Sequence, residues 1–455
     1  MNVSLRLFAL LLLFFIFDAP HRASSLPQAS HPSTAASGEA AKLNQRGLDH
    51  LKKKQYDAAV ELFREALRLQ PDFPDALDNL GKALDATGKD DEAVGDFDRA
   101  IKLAPEKAVF HSNKALALFH EGKYEDAIVS FREAIAIHDD FTEAYNGMGA
   151  AYLSLGKTDE AIGAFRKAIQ LNPKNVDALN NLGAALLAEH KAEEALPVLE
   201  KAHKLKPDAL DVLQNYARAL QETGRTDEAI HTYRKVVAKH PDNSDAWNQL
   251  GHLLYASKHY DEASTSFQKS LSLRPGESDV ALSLGLAQMG QGKTTEAIVS
   301  FEKSLALKPD DFHAVYNLAN AFYAQKDYSK AIAYFEKALS VKADSPEALS
   351  GLAGSQLASN KSAEAIANYQ KLVVLTPGDS NARFNLGTAF FNTAAYKDAA
   401  ASYREAIRLK PDMAFAHYNL GMTLLRLNDP KSASLEFDEA HRLDSSLKPP
   451  SINSR

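Results

Sequence analysis

The sequence predicts an all-α solenoid of helix–turn–helix units, and three observations predict it. Apolar and small residues recur at helical spacing in paired runs, as in Pro74–Lys107, where Ala76–Ala86 and Glu92–Leu103 flank the turn cluster Thr87-Gly88-Lys89-Asp90-Asp91. A 34-residue frame repeats from Ala40 to Leu447, twelve copies without insertion or deletion. The same kinds of side chain return at fixed places in that frame. Position 8 is small: Gly47, Gly81, Ala115, Gly149, Gly183, Ala217, Gly251, Gly285, Ala319, Ala353, Gly387 and Gly421. Position 20 is alanine from Ala59 to Ala433, and position 24 is a large ring or leucine, from Phe63 and Phe97 to Tyr403 and Phe437, with Leu199 in the fifth copy.

Each element has a physical reason. The small residue lets the two helices of a hairpin approach closely, and the ring fills the space beside it. Proline stands at position 32 in nine copies, with Asp139, Ala343 and Ser445 as exceptions, and it ends the second helix because it lacks the amide the helix needs. One hairpin alone cannot bury its apolar face, so neighbours must stack.

This pattern resembles the tetratricopeptide repeat family. The resemblance implies a right-handed superhelical solenoid whose concave groove is lined by the first helix of each repeat. It places twelve repeats over residues 40–447 and leaves 1–25, 26–39 and 448–455 outside them.

Residues 1–25 read as a secretory signal peptide. Arg6 precedes the apolar run Leu7–Phe17, too short to span a bilayer, and Ala23-Ser24-Ser25 offers small residues for cleavage. An uncleaved anchor is the competing reading. The stretch 26–39 reads as a flexible Ser/Ala/Pro spacer, and 448–455 as a polar tail. The expectation is an exported, periplasmic or secreted protein. With no cysteine, the chain has no disulfide, thiolate metal site, cysteine nucleophile or lipobox. The net charge of −7 is spread along the repeats, no basic stripe is read, and nucleic acid is not an expected partner. The last repeat is expected to cap itself through Lys431, Glu436, Asp438, Glu439 and Arg442.

Motifs for chemistry are weak. Ala287–Thr294 and Ala151–Thr158 match a relaxed phosphate-loop pattern, but a working loop follows a strand, and both stretches straddle the turn within a repeat. The fifteen histidines scatter over the frame without an HExxH or His-x3-His pair. Acidic pairs such as Asp90-Asp91 and Glu193-Glu194 open second helices, where carboxylates favour the dipole. No catalytic residue, metal site or cofactor is expected, and the chain reads as non-enzymatic.

The informative positions are those the resemblance places in the groove. Position 6 is Asn79, Asn113, Asn181, Asn215, Asn317, Asn385 and Asn419, and it resembles the asparagine ladder that holds peptide main chains in O-linked N-acetylglucosamine transferases. The alternative is that these amides satisfy a neighbouring helix. Repeats that clamp the acidic tail of cytosolic chaperones carry lysine at position 5, whereas no residue at that position here is basic. Early groove positions include Asp78, Lys82, Asp85, Arg218 and Gln221. From the eighth repeat they become Leu282, Leu286, Met289, Tyr316, Tyr323, Phe384, Phe391, Tyr418, Met422 and Leu425, read as exposed because the small/Ala/ring set already fills the core. The expected function is an exported scaffold that binds an extended segment of a partner protein. The alternative is an accessory of polysaccharide or envelope export that binds glycan in the groove.

Overall fold

The computed structural model describes residues 35–448 and residue 450. The signal-peptide reading, most of the spacer and the end of the tail lie outside the described residues. The described chain forms 24 helices and no strand. They fall into two units, one ending at Lys239 and one beginning at His240, so repeats 1–6 belong to the first and 7–12 to the second. One boundary is corrected. The first helix begins at Ala35, so 35–39 is helical rather than spacer, and Ser37 Oγ donates to Gln70 Oε1 of the same repeat at 3.0 Å.

Repeat 2 shows how a hairpin forms. Its first helix, Pro74–Asp85, opens on proline at the one turn where a missing amide costs nothing. Its second, Asp90–Leu103, opens on Asp90, Asp91 and Glu92, charges suited to a helix N-terminus. The turn between them places Gly88 at φ 71°, and Lys89 N donates back to Leu84 O at 3.0 Å. Position 15 has positive φ in all twelve repeats: Gly in five, but Lys54, His190, Lys258, Lys326, Asn360, Ala394 and Asn428 in the others. Both phosphate-loop-like stretches are these turns, with Gly156 at φ 72° and Gly292 at φ 75° closing a helix that no strand precedes among the described residues.

Packing follows the frame. The position-24 ring lies directly over the position-8 glycine: a Cβ built on Gly81 stands 2.7 Å from Phe97, and one on Gly285 stands 2.4 Å from Phe301. The rings of Phe63, Phe97, Phe165 and Phe301 are fully buried, each stabilising its unit by about 1.5–3 kcal/mol on area alone. Repeats 3 and 9 solve the same problem differently. With alanine at position 8 (Ala115, Ala319), the ring leans on position 6 of the following repeat, which is Gly147 or Gly351 in those two places. A Cβ on either glycine would stand 2.3 Å from the ring.

Within each unit, every second helix but the last packs between two first helices, and consecutive first helices also touch one another. The last repeat adds polar residues at two further positions to the Lys431, Glu436, Asp438, Glu439 and Arg442 expected on its second helix. Positions 21 and 28 are apolar in most repeats, as with Ile332 and Leu339 in repeat 9, but they become exposed Ser434 and His441 in repeat 12. Glu436 instead turns to His417 Nδ1 at 2.6 Å, and Glu439 pairs with Arg442 at 2.5 Å.

Candidate functional site

The first helices of each unit form one face. In the first unit that face is polar and bonded to itself. Asn79 Nδ2 donates to Asn44 Oδ1 at 3.1 Å, Asn113 Nδ2 to Asp78 Oδ1 at 2.7 Å, Asn181 Nδ2 to Asn146 Oδ1 at 3.1 Å, and Asn215 Nδ2 to Asn180 Oδ1 at 2.9 Å. Each rung joins position 6 of one repeat to position 5 of the repeat before it. Asn79 and Asn44 are both buried, so this pair ties first helices together inside the fold.

The charges of this face are paired as well. Lys82 Nζ stands 2.9 Å from Asp78, and Arg218 Nε is 2.7 Å from Glu222. His120 Nδ1 is 2.8 Å from Asp85, and that hydrogen bond holds the imidazole pKa above its ordinary value against the opposing effect of burial. Asp90 nearby is pushed up, first by burial and then by the Asp85 charge.

In the second unit the asparagines have other partners. Asn317 Nδ2 donates to His313 O of its own helix at 2.8 Å. Asn385 and Asn419 lie beside the Tyr369 and Tyr403 hydroxyls, and the Tyr403 hydroxyl donates to Thr388 Oγ1 at 3.2 Å. Burial pushes the Tyr369 phenol up to about 12.

The expectation that the aromatic and aliphatic positions of repeats 8–12 stand exposed is corrected. Leu282, Leu286, Met289 and Tyr316 are half-buried and packed on the core of repeats 8–9. Phe384, Phe391, Tyr418, Met422 and Leu425 do the same in repeats 11–12. The cause is that position 5 of a first helix lies above the position-24 ring of its own hairpin: Tyr316 meets Phe335 edge-on at 6.0 Å, Phe384 meets Tyr403 at 5.7 Å, and Tyr418 meets Phe437 at 5.4 Å. Tyr323 is the exception, 41% exposed, with its ring edge-on to Tyr328 at 5.5 Å. Phe391 and Tyr396 repeat that geometry two repeats later, also at 5.5 Å. Each half-buried ring therefore keeps one face on the core and leaves the other part open.

A shallow cavity of about 380 Å³ lies beside the second phosphate-loop-like stretch, lined by Lys258, His259, Tyr260, Gly290, Gln291 and Lys293. At its edge the Tyr260 ring packs against Gly290, where an added Cβ would stand 2.7 Å from the ring. Gln291 Nε2 donates to Tyr260 O at 2.7 Å while its Oε1 is buried without a hydrogen-bond partner, and Lys293 stands 3.9 Å from Asp261. Among the described residues, no group of three or more His, Asp or Glu is arranged to hold a metal, and no helix is long and apolar enough to cross a membrane.

The sequence matches family models described as "Tetratricopeptide repeat" over residues 44–108, 282–348, 350–414 and 396–447, and over 186–253 and 222–288. A model described as "TPR repeat" matches 115–156 and 149–189. No curated protein matches the chain. Among solved structures it is similar to a chain of the APC/C hetero-tetramer Cut9-Hcn1, at 17% identity and TM-score 0.40 over 89% of this chain and 94% of that one. It is also similar to yeast Tom70, at 16% identity and TM-score 0.34 over 90% and 98%. A third likeness is pilF of Pseudomonas aeruginosa, at 18% identity and TM-score 0.42 over 46% and 95%. With the twelve-fold register, the paired helices and the family matches in agreement, the chain belongs to the tetratricopeptide repeat family.

Proposed function

We propose that the chain is an exported, non-enzymatic scaffold that holds an extended segment of a partner protein against the first helices of repeats 8–12. The observation that carries this reading is the contrast between the two units. The first unit's asparagines and charges hydrogen-bond and pair among themselves, while the second unit presents Tyr323 and the open edges of Tyr316, Phe384, Phe391 and Tyr418. Rings already seated on the core lose little freedom on binding, which lowers the ordering cost of docking a segment. Asn317, bonded only locally in its own helix, is the amide best placed to turn toward a peptide main chain. Export rests on the sequence pattern of Arg6, the Leu7–Phe17 run and Ala23-Ser24-Ser25.

The test is recovery of partners by tagged protein from the exported fraction, beside a Tyr323→Ala/Asn317→Ala variant with unchanged circular dichroism. A protein held by the wild type and lost by the variant supports the reading. Equal recovery by both refutes the groove. Retention of glycan in place of protein would give the face to polysaccharide, since tyrosine rings stack on sugars as readily as on peptides.

A further inference from the structure

The contact between repeats 5 and 6 is built differently from its neighbours. Position 28 of the second helix is Leu, Ile or Val in ten repeats, and histidine only at His203 and His441. At the preceding junction the residue is Ile169, which packs on the apolar core of repeat 5 beside Leu179. Position 7 of the first helix is leucine in eight repeats and tyrosine only at Tyr216. His203 and Tyr216 meet. His203, near the end of Ala192–Leu205, lays its ring on Tyr216 of Leu210–Glu222, with centroids 5.0 Å apart and planes 17° from parallel. Tyr216 is buried, His203 is half-buried, and His203 Nδ1 is buried without a hydrogen-bond partner. His441 stands at the free end of the last repeat instead, exposed, with its Nδ1 3.2 Å from Leu447 O.

The surroundings of His203 disfavour a charged imidazole. Lys235, on Thr226–Lys239, opposes it directly. Glu200 on its own helix and Asp208 in the following turn attract it, but Glu200 is held by Lys204 at 2.7 Å and Asp208 by Lys239 at 2.6 Å. From Leu210–Glu222 the facing group is the Tyr216 phenol, which burial keeps neutral by pushing its pKa up. Asp177, the one charged residue of Val176–Ala188, lies toward Lys206 and Asp211. Burial first, and Lys235 second, hold the imidazole pKa below its ordinary value.

We propose that the His203–Tyr216 stack is an acid-sensitive joint, at which the packing of repeat 5 on repeat 6 loosens when the imidazole takes up a proton. The neutral ring lies flat on the tyrosine face and fills the place that an aliphatic side chain fills in other repeats. The charged ring brings an Nδ1–H into the same contact, where no acceptor meets it. The sign follows from the lowered folded pKa. The contribution of the contact is fully present above about pH 6.5 and is lost as pH falls through the folded value. His120 works in the opposite direction, losing its contribution as pH rises. Repeats hold one another through nearest-neighbour contacts, so one weakened contact lets the repeats on its two sides open separately.

Two measurements on the full chain test the joint. In the first, the imidazole resonances of histidine-labelled protein are titrated, with His203 assigned by its absence in His203→Leu. Its midpoint lies below 6.5, and Lys235→Gln moves it up toward that value. A midpoint at or above 6.5, as cation–π attraction by Tyr216 would give, overturns the proposal without reference to any variant's stability. In the second, amide hydrogen exchange of the wild type is compared with that of His203→Leu at about pH 7.5 and at about pH 5, so that intrinsic rates cancel at each pH. On acidification the wild type loses several-fold more protection than the variant in Ala192–Leu205 and Leu210–Glu222. Thr158–Leu171, which carries Ile169 at position 28, shows no such difference. An equal change in both proteins, or a difference spread over all the repeats, also overturns the proposal.

Discussion

Gly147→Ala tests whether ring placement follows the compensation seen in repeats 3 and 9. Glycine to alanine within a helix normally stabilises by about 0.8–1 kcal/mol through backbone propensity. At Gly147 the added Cβ falls 2.3 Å from Phe131 Cζ, a separation that forces the ring or the helix to move. Phe131 is fully buried and Ala115 already occupies the site where the ring would otherwise settle, so no free space receives it. Overpacking of this kind costs about 1–3 kcal/mol. The difference is a net loss of about 1 kcal/mol, carried by the contact between repeats 3 and 4. The assay is urea denaturation followed by circular dichroism, with Gly163→Ala as the internal control. Gly163 lies in the exposed middle of Thr158–Leu171 with nothing within 4 Å of a built Cβ, so there the propensity gain stands alone and the variant is stabilised. Ala115→Gly combined with Gly147→Ala rebuilds the arrangement of the other repeats and recovers most of the loss. Stabilisation by Gly147→Ala comparable to that of Gly163→Ala would refute the reasoning, and so would a double variant no better than the single.

Three further outcomes follow from the same geometry. Ala394→Gly stabilises by about 0.5–1 kcal/mol in the same denaturation assay, because Ala394 sits at φ 60° where a Cβ is strained, and a destabilised variant would contradict this. Asn44→Ala and Asn79→Ala each destabilise by about 1–3 kcal/mol by stranding a buried amide, while the double variant costs clearly less than their sum. Asn317→Ala stays within about 0.5 kcal/mol, and strict additivity for the Asn44/Asn79 pair would show that their bond carries nothing. The His120–Asp85 pair makes stability depend on pH in a defined direction. The folded pKa of His120 lies above its ordinary 6.5, so its contribution is fully present below about pH 6.5 and is lost as pH rises through the raised folded value. The melting temperature of the wild type minus that of His120→Ala therefore falls across that window, and a flat or rising difference would remove the pair from the account.

The fold was open to the sequence because its determinants recur in register. Position 8, position 20 and position 24 each ask for one kind of residue, and twelve copies leave no freedom in where helices begin and turn. Burial on the groove face was less visible. Spacing places Tyr316, Phe384 and Tyr418 on the first helix, but it does not say that position 5 overhangs the ring below, which makes each of them half core and half surface.

The asparagines show that more of the site was written in the sequence than position-by-position reading extracts. In the four repeats where position 6 bonds across to the preceding repeat, position 5 of that preceding repeat is Asn44, Asp78, Asn146 or Asn180, each with a side-chain oxygen to accept. Where Asn317 follows Leu282, no acceptor is offered, and the amide turns to its own helix. Where Asn419 follows Phe384, no acceptor is offered behind it either, and it lies beside the Tyr403 hydroxyl. The unit of information is thus a pair of residues 35 apart rather than the asparagine alone. An Asn with an amide or carboxylate oxygen behind it becomes part of the structure, whereas Asn317 behind Leu282 and Asn385 behind the short Ser350 make no such backward bond. The apolar residues Leu282 and Phe384 at position 5 thus remove the acceptor that Asn317 and Asn419 would otherwise meet in the preceding repeat.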